Sequence, residues 1–391
     1  MNDVLYPPSR ALEHAADLPG VRPLRIHRIG VPLFEVEIDA LVHDAQPYDL
    51  LDRFVGRALA DAELRSPAEI ADFLGLALPM VDRVLRFLGN VGHLTTAPDG
   101  TLVLTDLGRR SVQDDRRYVP KRDRQKLYFD GVRGEALPAV HYSRSVTVLR
   151  RDEATDQKLF RLPKACAFRN DAVHALAARP DRTAYNLLSD FLEVTPVAVD
   201  DAHLPCYLVR TQTPRGLDLL AYSGIPGLRD EHLERLLRGW PLIGQQLAVD
   251  DANHQGDPRD EFGDWLREQG LDPDLLRWVD QPPRLRLTLP ASRFHDVRPN
   301  TPRRGTFGLT QVGSFTAPRG QVLQLWCDDE RLRRDAAYAR GLLYATSSRT
   351  RQADEVTELL DRICRQLEIA PLTLADLRRH ARTAGHPDLP F

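Results

Sequence analysis

The chain has 391 residues, of which 28% are charged, and a formal net charge of −3 at pH 7; its mean hydropathy is −0.38. This composition excludes a wholly disordered chain, and the lack of a long apolar run predicts that there is no transmembrane helix and no membrane partner. The length predicts two or three domains. Because Met1 is not followed by a secretory signal, we expect a cytoplasmic protein.

Residues 1–47 are predicted to be an irregular N-terminal segment. Proline favours turns over regular elements, and this segment is interrupted by Pro7, Pro8, Pro19, Pro23, Pro32 and Pro47. One short strand is expected at 33–38.

Residues 48–115 show a regular order of predicted elements. Apolar residues recur at helical spacing over 48–62, which predicts a first helix. Ser66, Pro67 and Glu69 form a capping box with proline at the first helical position, so a short helix is expected at 67–73. A second amphipathic helix is predicted at 78–90, with Leu85 and Leu88 facing inward. Two short β runs around an Asp-Gly turn then predict a hairpin, and a further helix follows.

This order of helices and hairpin resembles the winged helix-turn-helix fold. The stretch 81–94, in which Leu88 lies four residues before Gly92, is similar to the recognition helix of MarR- and PadR-like regulators. The Leu-Thr-x-x-Gly-Arg sequence that ends at Arg109 is similar to the segment after their wing. The resemblance covers 48–115 and implies that this module contacts double-stranded DNA.

The resemblance also implies which residues meet DNA. In this fold the outer face of the recognition helix, here the helix predicted at 78–90, enters the major groove, where arginines reach guanine or phosphate. The candidates are Pro79, Met80, Arg83 and Arg86 on the helix, with Thr96 and Gly100 in the wing. Asp82 lies on the same helix face and disfavours phosphate, so a winged helix used for protein contact is the alternative.

The sequence after the hairpin is basic. Between Arg109 and Lys126 there are eight Lys or Arg residues against three Asp residues. Such a run beside a wing predicts contacts with the phosphate backbone, and a solvated linker face is the alternative. The candidates are Arg109, Arg116, Arg117, Lys121 and Arg122. We assign 116–145 to a basic linker.

Residues 146–391 are predicted to be a mixed α/β region with room for two subdomains. Strands are expected at 145–149, 205–210, 217–222, 285–289, 322–326 and 342–346. Helices are expected at 171–178, 229–240, 259–269, 331–340, 352–367 and 373–383. Arg284 and Arg286 alternate with leucines, so one strand face is basic. That face is either a second nucleic-acid contact or a solvent-facing sheet surface.

The sequence indicates no metal and no cofactor. The four cysteines are too widely separated for a local zinc knuckle, and they are expected to be free thiols: Cys166, Cys206, Cys327 and Cys364. The acidic residues between Asp250 and Asp264 have a spacing that fits no known metal loop. There is no phosphate-binding P-loop and no Gly-x-Ser-x-Gly nucleophile motif.

The sequence thus predicts an α+β, multidomain protein in which an N-terminal winged helix is followed by a mixed α/β region. The favoured function is that of a bacterial DNA-binding protein, as in transcription regulation, whose C-terminal region serves sensing, oligomerisation or partner docking. Double-stranded DNA is the expected partner, with a second copy or another protein as further candidates. The alternative is a nuclease-like enzyme, or a component of a DNA-defence or repair assembly, in which the winged helix is the targeting module.

Overall fold

The computed structural model of the chain describes residues 5–157, 159–188, 191–253, 258–295, 304–347, 352–385 and 389. These residues form a mixture of α-helices and β-strands. The helices are α1 (Pro8–Asp17), α2 (Leu50–Ala60), α3 (Pro67–Leu74), α4 (Leu78–Asn90), α5 (Asp106–Gln113), α6 (Arg151–Asp156), α7 (Ala172–Ala177), α8 (Glu231–Arg238), α9 (Pro241–Asn253), α10 (Pro258–Gln269), α11 (Glu330–Thr346), α12 (Ala353–Leu367) and α13 (Leu374–Thr383).

The strands are mostly short, and three of them are long. They are β1 (Arg22–Pro47), β2 (Leu94–Thr96), β3 (Leu102–Leu104), β4 (Arg116–Asp130), β5 (Leu149–Arg150), β6 (Phe160–Arg161), β7 (Phe191–Thr213), β8 (Gly216–Tyr222), β9 (Leu276–Asp280), β10 (Pro283–Thr288), β11 (Phe294–His295), β12 (Phe307–Gly308), β13 (Phe315–Thr316) and β14 (Leu323–Trp326). None of the helices within the described ranges has the length and apolar character that crossing a membrane requires.

The chain divides into two compact units, each made of separate stretches of sequence. The first unit comprises Met1–Pro32, Ser143–Pro163 and His203–Phe391. The second unit comprises Leu33–Tyr142 and Lys164–Ala202. The predicted winged module, residues 48–115, therefore lies wholly within the second unit.

In the second unit, β1 and β4 form a long antiparallel ladder that runs from the Leu33–Asp130 pair to the Pro47–Arg116 pair. Because Pro47 faces Arg116, residues 48–115 leave and re-enter the ladder at the same end. One face of the ladder carries buried apolar side chains, including those of Val36, Ile38 and Leu127, which pack with α7. This face gives the ladder a core of its own.

Residues 48–115 have a separate core. Buried side chains from α2, α3 and α4 meet there, among them Val55, Ile70 and Leu85. Leu85 is 6% exposed and Leu88 is 1% exposed, as their inward positions predict. The predicted helices at 67–73 and 78–90 are confirmed as α3 and α4, and the predicted hairpin is confirmed as β2 and β3.

The first unit contains a four-stranded sheet in the order β13-β14-β10-β9. Strands β10 and β14 are parallel. Leu287 and Leu325 on these strands pack into a core with α10, α11 and α12. A second cluster brings Leu12 of α1 against Tyr207 and Tyr222 of the β7–β8 hairpin.

Four predicted segments have a different structure, and one of them, the strand expected at 145–149, is present only at Leu149, the first residue of β5. Residues 1–47, expected to be irregular, contain α1 and β1, because Pro8 occupies a helix first turn and because pairing with β4 extends the expected short strand. Residues 116–130, expected to be a linker, form β4. The predicted strand at 342–346 is wrong: this short apolar run is the last turn of α11, and periodicity alone does not separate the two structures.

Candidate nucleic-acid interface

The outer face of α4 is the centre of the candidate interface. Val81, Leu85 and Leu88 are buried on the inner face, so helical geometry places Met80 and Arg83 outward. Met80 is 46% exposed, and Pro79, Arg83 and Arg86 are exposed as well. The structure therefore brings together, on one accessible helix face, the four α4 residues that the sequence selects.

Neither arginine of this face pairs with a carboxylate in the part of the chain that the structure describes. Within the described residues, Arg83 makes no hydrogen bond or ion pair. Arg86 donates from Nε to the backbone carbonyl of Asp82 at 3.2 Å, so its side chain lies along its own helix. Arg83 therefore retains its full donor set for a phosphate or a base edge, and Arg86 retains the N–H groups of its two terminal nitrogens.

The hairpin ends in a tight, exposed turn. Gly100 has a φ of +85°, a region that favours glycine. Asp99 accepts hydrogen bonds from the backbone N–H and the hydroxyl of Thr101 at 3.0 and 2.6 Å, and these bonds lower the pKa of its carboxyl group. Thr96, at the end of β2, is exposed. The turn thus holds its shape by its own hydrogen bonds and leaves Thr96 accessible.

Exposed apolar side chains share the helical surface, and the sequence analysis did not single them out. Leu78 and Phe87 of α4 are 45% and 36% exposed, and Phe73 at the end of α3 is 64% exposed. The outward positions of Leu78 and Phe87 follow from the same helical spacing that placed Arg83. Large apolar side chains grouped on a surface are typical of contact with another molecule.

Two of the predicted phosphate contacts are engaged inside the unit. Arg109 donates to the Leu104 carbonyl at 2.7 Å and pairs with Asp106 at 2.5 Å. Arg117 pairs with the buried Asp52 at 2.9 Å, and its guanidinium carbon lies 5.0 Å from the centroid of the Phe87 ring. Arg117 therefore stabilises the module from within, whereas Arg109 makes its contacts at the surface.

The basic run is divided by the strand that it forms. Arg122 pairs with Asp39 of β1 at 3.0 Å, and Arg124 pairs with Glu37 at 2.9 Å, each diagonally across the ladder. Side chains of successive strand residues point to opposite faces, so Lys121 projects away from Arg122. Lys121 and Arg116 are exposed and have no ion pair in the described part of the chain. Of the five candidates in this run, these two remain available to an anion.

A buried histidine joins the hairpin to β4. His93 is 1% exposed, and its Nε2 lies 2.6 Å from the Tyr118 carbonyl, which indicates that the Nε2–H donates there. The Ser111 hydroxyl lies 3.3 Å from the same nitrogen. Burial is the main cause that lowers the pKa of His93, with the nearby Arg117 acting in the same direction. The neutral ring is therefore part of the packing.

Arg284 and Arg286 share one strand face, as predicted, but the expectation that this face is open to solvent or to nucleic acid is wrong. Arg286 is 7% exposed, donates to Gln324 at 2.8 Å and lies with its guanidinium carbon 3.7 Å from the centroid of the Trp326 ring. Both arginines pair with Glu368. Burial lowers the pKa of Arg284 to about 10, and Arg286 adds to this effect. The end of α12 covers this strand face, which sequence alternation does not reveal.

Among the residues that the structure describes, no group of three or more His, Cys, Asp or Glu side chains is placed to hold a metal ion. Part of the acidic segment between Asp250 and Asp264 lies outside the described residues. The four cysteines are free thiols.

Comparison of the chain with protein-family models, with curated proteins and with solved structures gave no match.

Proposed function

We propose that the chain binds double-stranded DNA through residues 48–115, with α4 in the major groove and the β2–β3 hairpin beside it. The observation that carries the proposal is the outer face of α4, where Arg83 and Arg86 are exposed and have no carboxylate partner among the described residues. The order of elements around α4 is the order expected of a winged helix-turn-helix module. The first unit would supply sensing, oligomerisation or partner docking.

The internal ion pairs assign different roles to the basic residues. Arg83 and Arg86 would reach base edges or phosphates from the groove, whereas Arg116 and Lys121 would neutralise phosphate alone. Arg117 and Arg122 are paired with Asp52 and Asp39 and would contribute little. The salt dependence of binding should therefore reflect only part of the basic run.

The test is fluorescence anisotropy of the full chain with labelled duplex DNA over a salt series. Arg83→Ala should cost about 1–3 kcal/mol of binding free energy for a preferred sequence. Lys121→Ala should weaken binding to every duplex and reduce the salt slope by about one unit. Arg57→Ala is the matched control, because Arg57 is an exposed arginine on α2. Unchanged binding in the Arg83→Ala/Arg86→Ala double variant would contradict the proposal.

A second candidate function is protein docking by the same module, and the exposed side chains of Phe73, Leu78 and Phe87 favour it. Large apolar groups are enriched at the centres of protein interfaces. Phe73→Ser should then lower the mass of the complex between the chain and its protein partner, measured by light scattering, while DNA binding stays unchanged. The nuclease-like alternative is tested by adding Mg²⁺ to the DNA mixture, because shortened DNA on a gel would support it.

A further inference from the structure

A groove of about 630 Å³ opens in the first unit. Its walls are the segment 16–22 between α1 and β1, the β7–β8 turn at 212–214, and the β9–β10 region with Trp278, Pro282 and Pro283. The volume lies within the range of about 300–1,000 Å³ that is typical of small-molecule sites. The lining is mostly apolar and contains a few polar groups, which is also typical of such sites.

Trp278 offers an accessible aromatic surface in this groove. Its side chain is 46% exposed, whereas Trp240 and Trp326 of the same unit are 7% and 3% exposed. Trp278 is on β9, which is an edge strand of its sheet. Among the described strands, β9 therefore has a neighbour only on the side of β10. An indole that is half exposed in a concave site provides a flat surface on which an aromatic ligand can stack.

Arg22 lies over the Trp278 ring and places a positive charge against part of its surface. Its guanidinium carbon lies 5.0 Å from the centroid of the Trp278 ring, and burial lowers the pKa of Arg22. Within the described residues, Arg22 has no hydrogen bond or ion pair. A partly buried guanidinium without an anionic partner is stabilised when an anion binds beside it.

The acidic residue of the groove does not neutralise Arg22. Asp17 also lines the groove, but its carboxylate faces Arg362 at 3.9 Å. Burial raises the pKa of Asp17, and Glu13 acts in the same direction, while Arg362, Arg365 and Arg340 oppose the shift. Asp17 thus faces Arg362 rather than Arg22.

We propose that this groove binds a small organic anion with a flat aromatic body, whose ring stacks on the exposed part of the Trp278 indole that Arg22 does not cover and whose negative group pairs with Arg22. The unpaired cation selects an anion, and the half-exposed indole selects an aromatic ring. This site lies in the first unit and does not depend on the DNA-binding proposal, because its test measures ligand binding alone.

The test uses two naphthalene probes that differ in charge. These are 8-anilino-1-naphthalenesulfonate, which has an aromatic body and a sulfonate, and N-phenyl-1-naphthylamine, which lacks the sulfonate. The full chain should bind the sulfonate at one saturable site, measured by probe fluorescence. Arg22→Gln should weaken sulfonate binding about tenfold or more, as expected for loss of a charge-assisted contact. The same variant should leave binding of the uncharged probe within about twofold, because no ion pair is lost there.

Further variants separate stacking from charge. Trp278→Ala should weaken binding of both probes, and Arg22→Lys should retain most of the affinity for the sulfonate. Arg331→Gln removes an exposed arginine of α11 and should change nothing. Indole-3-acetate should displace the sulfonate probe, whereas acetate should not.

Two results would overturn the site. One is equal sulfonate affinity in the wild type and in Arg22→Gln, and the other is probe binding that Trp278→Ala does not affect. Thermal melting of each variant shows whether it is folded. If Trp278→Ala unfolds, Trp278→Leu replaces it, because leucine keeps apolar bulk without an aromatic ring, and an unchanged affinity for both probes in that variant would count equally against stacking.

Discussion

At the scale of single residues, the basic side chains of this chain differ in what surrounds them, even within one basic run. Arg117 and Lys121 belong to the same basic run, yet Arg117 reaches the buried Asp52 while Lys121 is exposed. A buried carboxylate that loses its partner is costly to the fold, whereas an exposed cation contributes little to stability.

Arg117→Ala should therefore lower the free energy of unfolding by about 2–4 kcal/mol, because it leaves Asp52 buried and unpaired. Lys121→Ala is the matched control and should change stability by less than about 0.5 kcal/mol. Urea denaturation followed by circular dichroism measures both values. Equal stabilities of the two variants would show that the Arg117–Asp52 pair does not stabilise the module.

His93 leads to a prediction about pH. The folded state lowers its pKa below the unfolded value of about 6.5, so below that pH the unfolded chain binds more protons than the folded chain. The stabilising contribution is thus present above about pH 6.5 and is lost as the pH falls. His93→Gln keeps a donor for the Tyr118 carbonyl without this titration.

The wild type should consequently lose stability more steeply than His93→Gln between pH 7 and pH 5, measured by urea denaturation at each pH. The pKa of His14 in the first unit is also lowered by burial, and its contribution is common to both proteins. Parallel stability curves for the two proteins would contradict this role of His93.

At the scale of elements, the contact of α5 with the hairpin depends on the absence of a side chain at one position. A Cβ atom on Gly108 would lie 2.1 Å from the His93 carbonyl oxygen, which is backbone and has little room to move. Gly89 in α4 has no neighbouring atom within 4 Å of such a Cβ. Alanine substitutions at the two positions therefore separate the effect of close packing, at Gly108, from that of helix propensity, at Gly89.

Gly108→Ala should destabilise the protein by at least about 2 kcal/mol through overpacking. Gly89→Ala should stabilise it by about 0.5–1 kcal/mol, since alanine favours an exposed helical position over glycine. Thermal unfolding of both variants by calorimetry gives the sign of each effect. A stabilising Gly108→Ala substitution would be inconsistent with the close approach of α5 to His93.

At the scale of the whole molecule, neither compact unit is a continuous stretch of sequence, but one core is local. The cluster that contains Val55, Ile70 and Leu85 draws its residues from positions 51–112 alone. The ladder core, by contrast, combines β1 and β4 with α7 and Val194 of β7.

A fragment of residues 40–126 should consequently fold by itself and be mainly helical by circular dichroism. A shorter fragment, 48–115, should be less stable, because it lacks Arg117 and Tyr118, the partners of Asp52 and His93. If 40–126 shows no cooperative unfolding, the module depends on the rest of the unit. If both fragments are equally stable, these partners are not needed.

Local patterns in the sequence determined the elements of the helical module. The Ser66–Glu69 capping box begins α3, helical spacing defines the inner face of α4, and the Asp99-Gly100 turn closes the hairpin, since each of these signals acts over a few residues. Which arginines are free depends on contacts between residues far apart in the sequence. Arg117 is paired with a residue 65 positions away, and Arg286 with one 82 positions away. Strand β4 also depends on distant residues. Its charged side chains are stable in a strand because β1 supplies the opposite charges across the ladder.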